Sequence, residues 1–174
     1  PVLGAAQDAE GQLRAADLLA ELAMAEDGAA AARAARALLY EWARTGSPAL
    51  DLLLERGRAA LEVSDFPLAI QHLTALTDHA PDFAEGWHQL ALAYFNTQAL
   101  GPAVDALERT LALNPQHFPA LRGMAAILEA LGKHTLAEQA YQAVLEIRPH
   151  DSEVQEALAR LAPLIQGTAL SLLP

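Results

Sequence analysis

The chain has no cysteine in its 174 residues, which excludes disulfide frameworks, thiolate ligands and thiol nucleophiles. Aromatic residues make up only 5% of it, so large rings cannot dominate its core. A hydrophobic fraction of 53%, much of it alanine, points instead to helices packed closely through small side chains. No run of about 20 apolar residues free of charge occurs, so no segment reads as a membrane span. Cations are scarce: 11 Lys and Arg stand against 22 Asp and Glu, a net charge of −11. Nucleic acid is therefore not an expected partner, because phosphate-backbone binding needs clustered Lys and Arg.

Catalytic signatures are missing as well. The sequence has no G-x-S-x-G, no phosphate-binding loop, no H-E-x-x-H and no G-x-G-x-x-G. Six histidines occur, at His72, His79, His88, His117, His134 and His150, but no pair has the i, i+4 spacing of helical metal ligands. His117 and His150 follow prolines and His134 sits between helical patterns, which are ordinary loop positions. The expectation is no metal, no cofactor and no enzyme. Histidine protonation could still tune binding between about pH 5 and 8.

What the sequence does have is a period. Pro81, Pro115 and Pro149 stand 34 residues apart, as do Ala69, Ala103 and Ala137, and a third column reads Gly57, Ala91 and Ala125. Between them run stripes such as Trp87, Leu90, Ala91 and Tyr94, spaced i, i+3, i+4, i+7 as on one helical face. A small residue in the third column lets two helices approach, and proline ends the second helix by lacking an N–H and disfavouring a helical residue before it. A 34-residue period implies stacked helix–turn–helix units. The units span 50–83, 84–117 and 118–151.

These columns resemble the tetratricopeptide repeat (TPR) family. The middle unit matches best, with Trp87, Leu90, Ala91, Tyr94, Ala103, Leu107 and Pro115, while the third adds Gly132, Ala137, Tyr141 and Pro149. The first departs at Arg56 and Ala60. The resemblance implies an all-α fold: an α-solenoid of antiparallel helix pairs wound into a right-handed superhelix of about nine helices. Three repeats occupy 47–151, followed by a C-terminal capping helix over 152–166 and a mobile tail over 167–174. Upstream, residues 12–46 read as a degenerate helical pair, since Ala35 lies 34 positions before Ala69, with Trp42 packing that pair onto the first full repeat. Residues 1–11 read as a disordered or signal-derived N-terminus, because Pro1–Ala6 is similar to the end of a secretory signal. An alanine-rich disordered segment explains them equally well. The expected compartment is the periplasm, with the cytoplasm as the alternative, as for the small bacterial TPR proteins that the chain resembles.

The resemblance also implies a function. TPR arrays bind proteins or peptides in a concave groove lined by the first helix of each pair. Carried onto this chain, the groove presents Arg58, His88, Leu92, Phe95, Asn96 and Arg122. Leu92 and Phe95 would be apolar anchors, and Arg58, His88, Asn96 and Arg122 would hold a carboxylate. The expected role is a protein-binding adaptor or scaffold. The alternative is a self-associating structural protein, for instance a homodimer through Leu170–Leu173, or a non-catalytic subunit of a larger complex.

Overall fold

The computed structural model describes the backbone from Val2 to Ser171 and the side chains from Glu10 to Gln166. The described residues form nine helices and no strand. They are α1 (Val2–Ala23), α2 (Gly28–Trp42), α3 (Pro48–Glu62), α4 (Phe66–His79), α5 (Ala84–Asn96), α6 (Leu100–Leu113), α7 (Phe118–Ala130), α8 (His134–Ile147) and α9 (Ser152–Ser171). None of them is long and apolar enough to cross a membrane.

The 34-residue period sets α3 to α8. Helices α4, α6 and α8 start at Phe66, Leu100 and His134 and each runs 14 residues. Each ends at the residue before a C-cap, Ala80, Asn114 or Arg148, and the periodic proline follows at once. Ala69, Ala103 and Ala137 are fully buried in these helices. The small column acts as anticipated at its first position: a Cβ on Gly57 would sit 2.5 Å from Leu73 Cδ2. Between the helices of each pair, Ser64, Gln98 and Gly132 share a left-handed backbone with φ of 60°, 62° and 71°. Only the third pair uses the residue without a Cβ there.

The end helix α9 buries Val154, Ala157 and Leu161 against the third pair. It continues to Ser171 despite Pro163, past the residue-166 boundary and through part of the expected tail. A proline costs one backbone hydrogen bond here but does not stop the helix. The side chains of Leu170 to Leu173 lie outside the described residues. At the other end α1 begins at Val2 and runs through residues 2–11, the segment read from sequence as a disordered or signal-derived N-terminus; Pro1 lies outside the described residues.

The first two helices depart from expectation. Asp27 caps α2, accepting from Ala30 N at 2.7 Å, and Ala31, Ala34, Ala35 and Leu38 form its buried stripe. That stripe does not stack on α3 as α4 stacks on α5. It joins Leu22, Phe118, Ala125, Tyr141 and Val144 in one cluster that unites α1 and α2 with α7, α8 and α9. Trp42 stacks on His117, centroids 5.1 Å apart, and tilts against Phe118, so it packs on the third pair rather than the first. His150 Nε2 reaches Ala25 O at 2.8 Å and pins the α1–α2 turn to the α8–α9 turn. The physical reason lies in the connection. Gly46, at φ 78°, and Pro48 at the start of α3 replace the C-cap and proline that would continue the array. Ala32, Ala35, Arg36 and Leu39 of α2 line one cavity together with residues of α3, α5 and α7.

Candidate functional site

The candidate site is built around a buried carboxylate. Glu85, in the first turn of α5, is 3% exposed, and a charge so buried persists only when paired and hydrogen-bonded. Arg58 of α3 and Gln89 Nε2 (2.8 Å) donate to Oε1, and His117 Nε2 lies 2.9 Å from Oε2. His88 Nδ1 lies 3.5 Å from the same oxygen. Burial pushes the Glu85 carboxyl up, but hydrogen bonds from His117 and His88 overcome it and hold the group well below the usual carboxylate range. Burial pushes His117 down and the Glu85 contact offsets only part of that, so the ring is neutral at pH 7. Its Nδ1 accepts from Ala120 N at 3.3 Å and caps α7, which leaves the ring proton on Nε2, directed at Glu85. One carboxylate thereby ties α3, α5 and α7 together, and Trp42 of α2 covers the imidazole.

Glu85, His88 and His117 could also be read as metal ligands, since their ligand atoms lie within 4.8 Å of one another. Their surroundings argue otherwise. A metal on His117 Nε2 would displace its proton and leave Nδ1–H facing the Ala120 N–H, donor against donor. Arg58 already brings a positive charge to the same carboxylate. The donor set fits a proton-sharing network better than a cation.

Beside this network lies a cavity of about 350 Å³ between α2 and the α3–α5–α7 face. Its polar lining comes from Arg36, Arg58, Arg122, Arg148, His88, Gln89 and Glu85. Four of the 11 cationic residues of an acidic chain thus converge on one cavity. Three of these arginines have carboxylate partners: Arg58 with Glu85, Arg122 Nη1 with Glu153 (2.8 Å) and Arg148 Nη1 with Asp151 (3.1 Å). Among the described residues Arg36 has none. Ala32, Leu39, Phe118 and Pro119 give the cavity an apolar wall.

The sequence-derived site residues divide into two groups. Arg58, His88 and Arg122 share the cavity, but His88 is buried against Glu85 rather than displayed. Leu92, Phe95 and Asn96 lie further along α5 and do not line it. Leu92 and Phe95 are exposed, and the Asn96 side chain donates to Leu92 O at 2.8 Å. Arg36 and Arg148 were not singled out by sequence, Glu85 falls at a ligand-facing repeat position, and His117 reads there as an ordinary loop residue. The i, i+3 pair Glu85–His88 was a usable signal; His117, in a turn 32 positions beyond Glu85, offered none.

Comparison with known proteins agrees with this architecture. Two tetratricopeptide repeat family models match residues 54–105 and 98–161. A TPR repeat-containing protein of Rhizobium etli is 32% identical over 150 residues, covering 86% of this chain and 74% of the relative. Among solved structures, the first TPR of Spaghetti (RPAP3) bound to the HSP90 peptide SRMEEVD superposes with a TM-score of 0.64 at 25% identity, covering 67% of this chain and 93% of that one. The MamA protein superposes with a TM-score of 0.63 at 22% identity, covering 91% and 84%, a likeness of fold. With the repeat columns, the helix pairs they build and a relative matched over most of both lengths, the chain belongs to the tetratricopeptide repeat family.

Proposed function

We propose that this protein is a binding adaptor that recognises an acidic segment of a partner protein at the arginine-lined cavity. The observation that carries the reading is the gathering of Arg36, Arg58, Arg122 and Arg148 around one cavity in a chain of net charge −11. Guanidinium groups suit carboxylates because their planar forks donate two parallel hydrogen bonds. A structural relative holds an acidic peptide, SRMEEVD, which supports the choice of ligand class. Here α2 lines the cavity together with α3, α5 and α7, so the partner is read at the cavity mouth beside α2. Leu92 and Phe95 extend the surface along α5 as exposed apolar contacts.

Fluorescence anisotropy with labelled acidic peptides, and basic peptides of the same length as controls, tests this reading. Acidic peptides are expected to bind, to weaken as salt is raised and to weaken about tenfold or more with Arg122→Glu. Equal binding of acidic and basic peptides, or indifference to Arg122→Glu, would remove the cavity from the account.

A further inference from the structure

We propose that the cavity between α2 and α7 is a site for a phosphate monoester with a small organic body, held by Arg36, Arg122 and Arg148. The inference rests on the cavity identified above and deepens its ligand class from a carboxylate to a compact dianion.

Three features of the lining lead there. The first is the uncommitted cationic capacity. Arg36 has no carboxylate partner among the described residues, and Arg122 is held only by Glu153, whose side chain is 78% exposed. An exposed pair of that kind contributes little, so the guanidinium exchanges partners easily. Two available positive charges match a phosphate monoester, which carries about −1.5 to −2 near neutral pH.

The second feature is a donor without an acceptor. Arg148 Nε is buried and has no hydrogen-bond partner among the described residues, and Arg148 lines this cavity. A buried polar atom left unpaired is costly, and an oxyanion offers acceptors to such a group. The arginines come from three separate elements, α2, α7 and the C-cap of α8.

The third is the shape. About 350 Å³ falls in the range of small-molecule sites, roughly 300–1,000 Å³, and leaves room for more than phosphate alone. Ala32, Leu39 and Phe118 form an apolar wall against which a carbon skeleton can lie. The covering by α2 favours a compact group over an extended backbone. Because α2 supplies Arg36 from outside the repeats, the site depends on how the N-terminal hairpin is docked.

Isothermal titration calorimetry with inorganic phosphate, O-phosphoserine and phenyl phosphate, at matched ionic strength in chloride, tests the proposal on the full chain. Saturable binding of one equivalent is expected, tighter for phenyl phosphate than for inorganic phosphate. Arg36→Gln and Arg122→Gln are each expected to weaken it about tenfold. Both positions are solvent-facing, so circular dichroism should show an unchanged fold. No saturable heat in the wild type, or unchanged affinity in the double variant, would overturn the proposal. The probes contain no peptide, which separates this outcome from the adaptor reading. Phosphate binding without acidic-peptide binding would retire the adaptor and keep the site. Acidic-peptide binding that phenyl phosphate does not compete would do the reverse. If a phosphoserine peptide competes better than free O-phosphoserine, the phosphoryl group comes from a partner protein; equal competition assigns it to a free small molecule.

Discussion

His117 Nε2 lies 2.9 Å from Glu85 Oε2, joining α7 to α5 across 32 positions of sequence through two buried side chains. The contact gives stability a pH dependence whose sign follows from burial. His117 is held below its ordinary value of 6.5, so the unfolded chain takes up a proton near that pH while the folded chain does not. Unfolded protein binding more protons means that stability rises with pH. It is therefore lost progressively as pH falls below about 6.5. Glu85, held well below its ordinary 4.5, adds a second loss below that value. Urea midpoints at pH 7.5 and 5.5 should show the first loss. His117→Asn, which keeps a cap for α7 but not the contact to Glu85, should flatten it and cost about 2–4 kcal/mol at pH 7.5. An equal slope in wild type and variant would assign the pH dependence elsewhere.

Trp42 is the fastening of α2. Replacing it with Ala removes the stacking on His117 and the contact with Phe118, at a cost of about 2–4 kcal/mol. The loss should be local. Limited proteolysis is expected to cut between Ala43 and Ser47 in Trp42→Ala well before wild type, releasing the N-terminal hairpin. Uniform cleavage along the chain would mean that the hairpin and the array form one cooperative unit.

Two glycines in first helices should respond with opposite signs. Ala at Gly57 would place its Cβ 2.5 Å from Leu73 Cδ2 and 2.6 Å from Cγ, and Leu73 is fully buried. Overpacking of that kind costs about 1–3 kcal/mol and outweighs the helix-propensity gain of about 1 kcal/mol. Ala at Gly123 meets nothing closer than 3.6 Å, so the propensity gain stands alone and the variant should be more stable. Thermal unfolding of the two variants checks both signs.

The turns between paired helices offer a third stability test. Ser64 and Gln98 hold the left-handed conformation that Gly132 adopts freely, at a penalty of about 1 kcal/mol for a side chain there. Ser64→Gly and Gln98→Gly should therefore stabilise the protein or leave it unchanged. Gly132→Ala should destabilise it by about 1 kcal/mol, in urea denaturation at pH 7.5.

The repeat array could be read from sequence because its signals are local and periodic. The proline column marks helix ends, the alanine column marks the buried face, and both recur every 34 residues. The placement of α2 could not be read that way. Ala31, Ala34, Ala35 and Leu38 define which face of α2 is buried, yet the same stripe serves against the first pair or across the third. The turn at Gly46 and the Trp42–His117 stacking decide between them, and both depend on tertiary contacts. The residues of the candidate cavity were half visible for the same reason. Arg58, His88 and Arg122 follow from repeat positions, whereas Arg36 and Arg148 reach the cavity only because the hairpin folds back and the last pair ends beside it. Leu92, Phe95 and Asn96 obey the same repeat logic but lie beyond the cavity.

The most direct test of recognition at the arginine-lined cavity is amide chemical-shift mapping of the isotope-labelled full chain, titrated with the tightest acidic peptide from the anisotropy series. The predicted result is a set of perturbed amides centred on Arg36, Arg58, Arg122 and Arg148, with α4 and α6 little changed. Perturbations concentrated on α4, α6 and α8, with those four arginines unmoved, would contradict it.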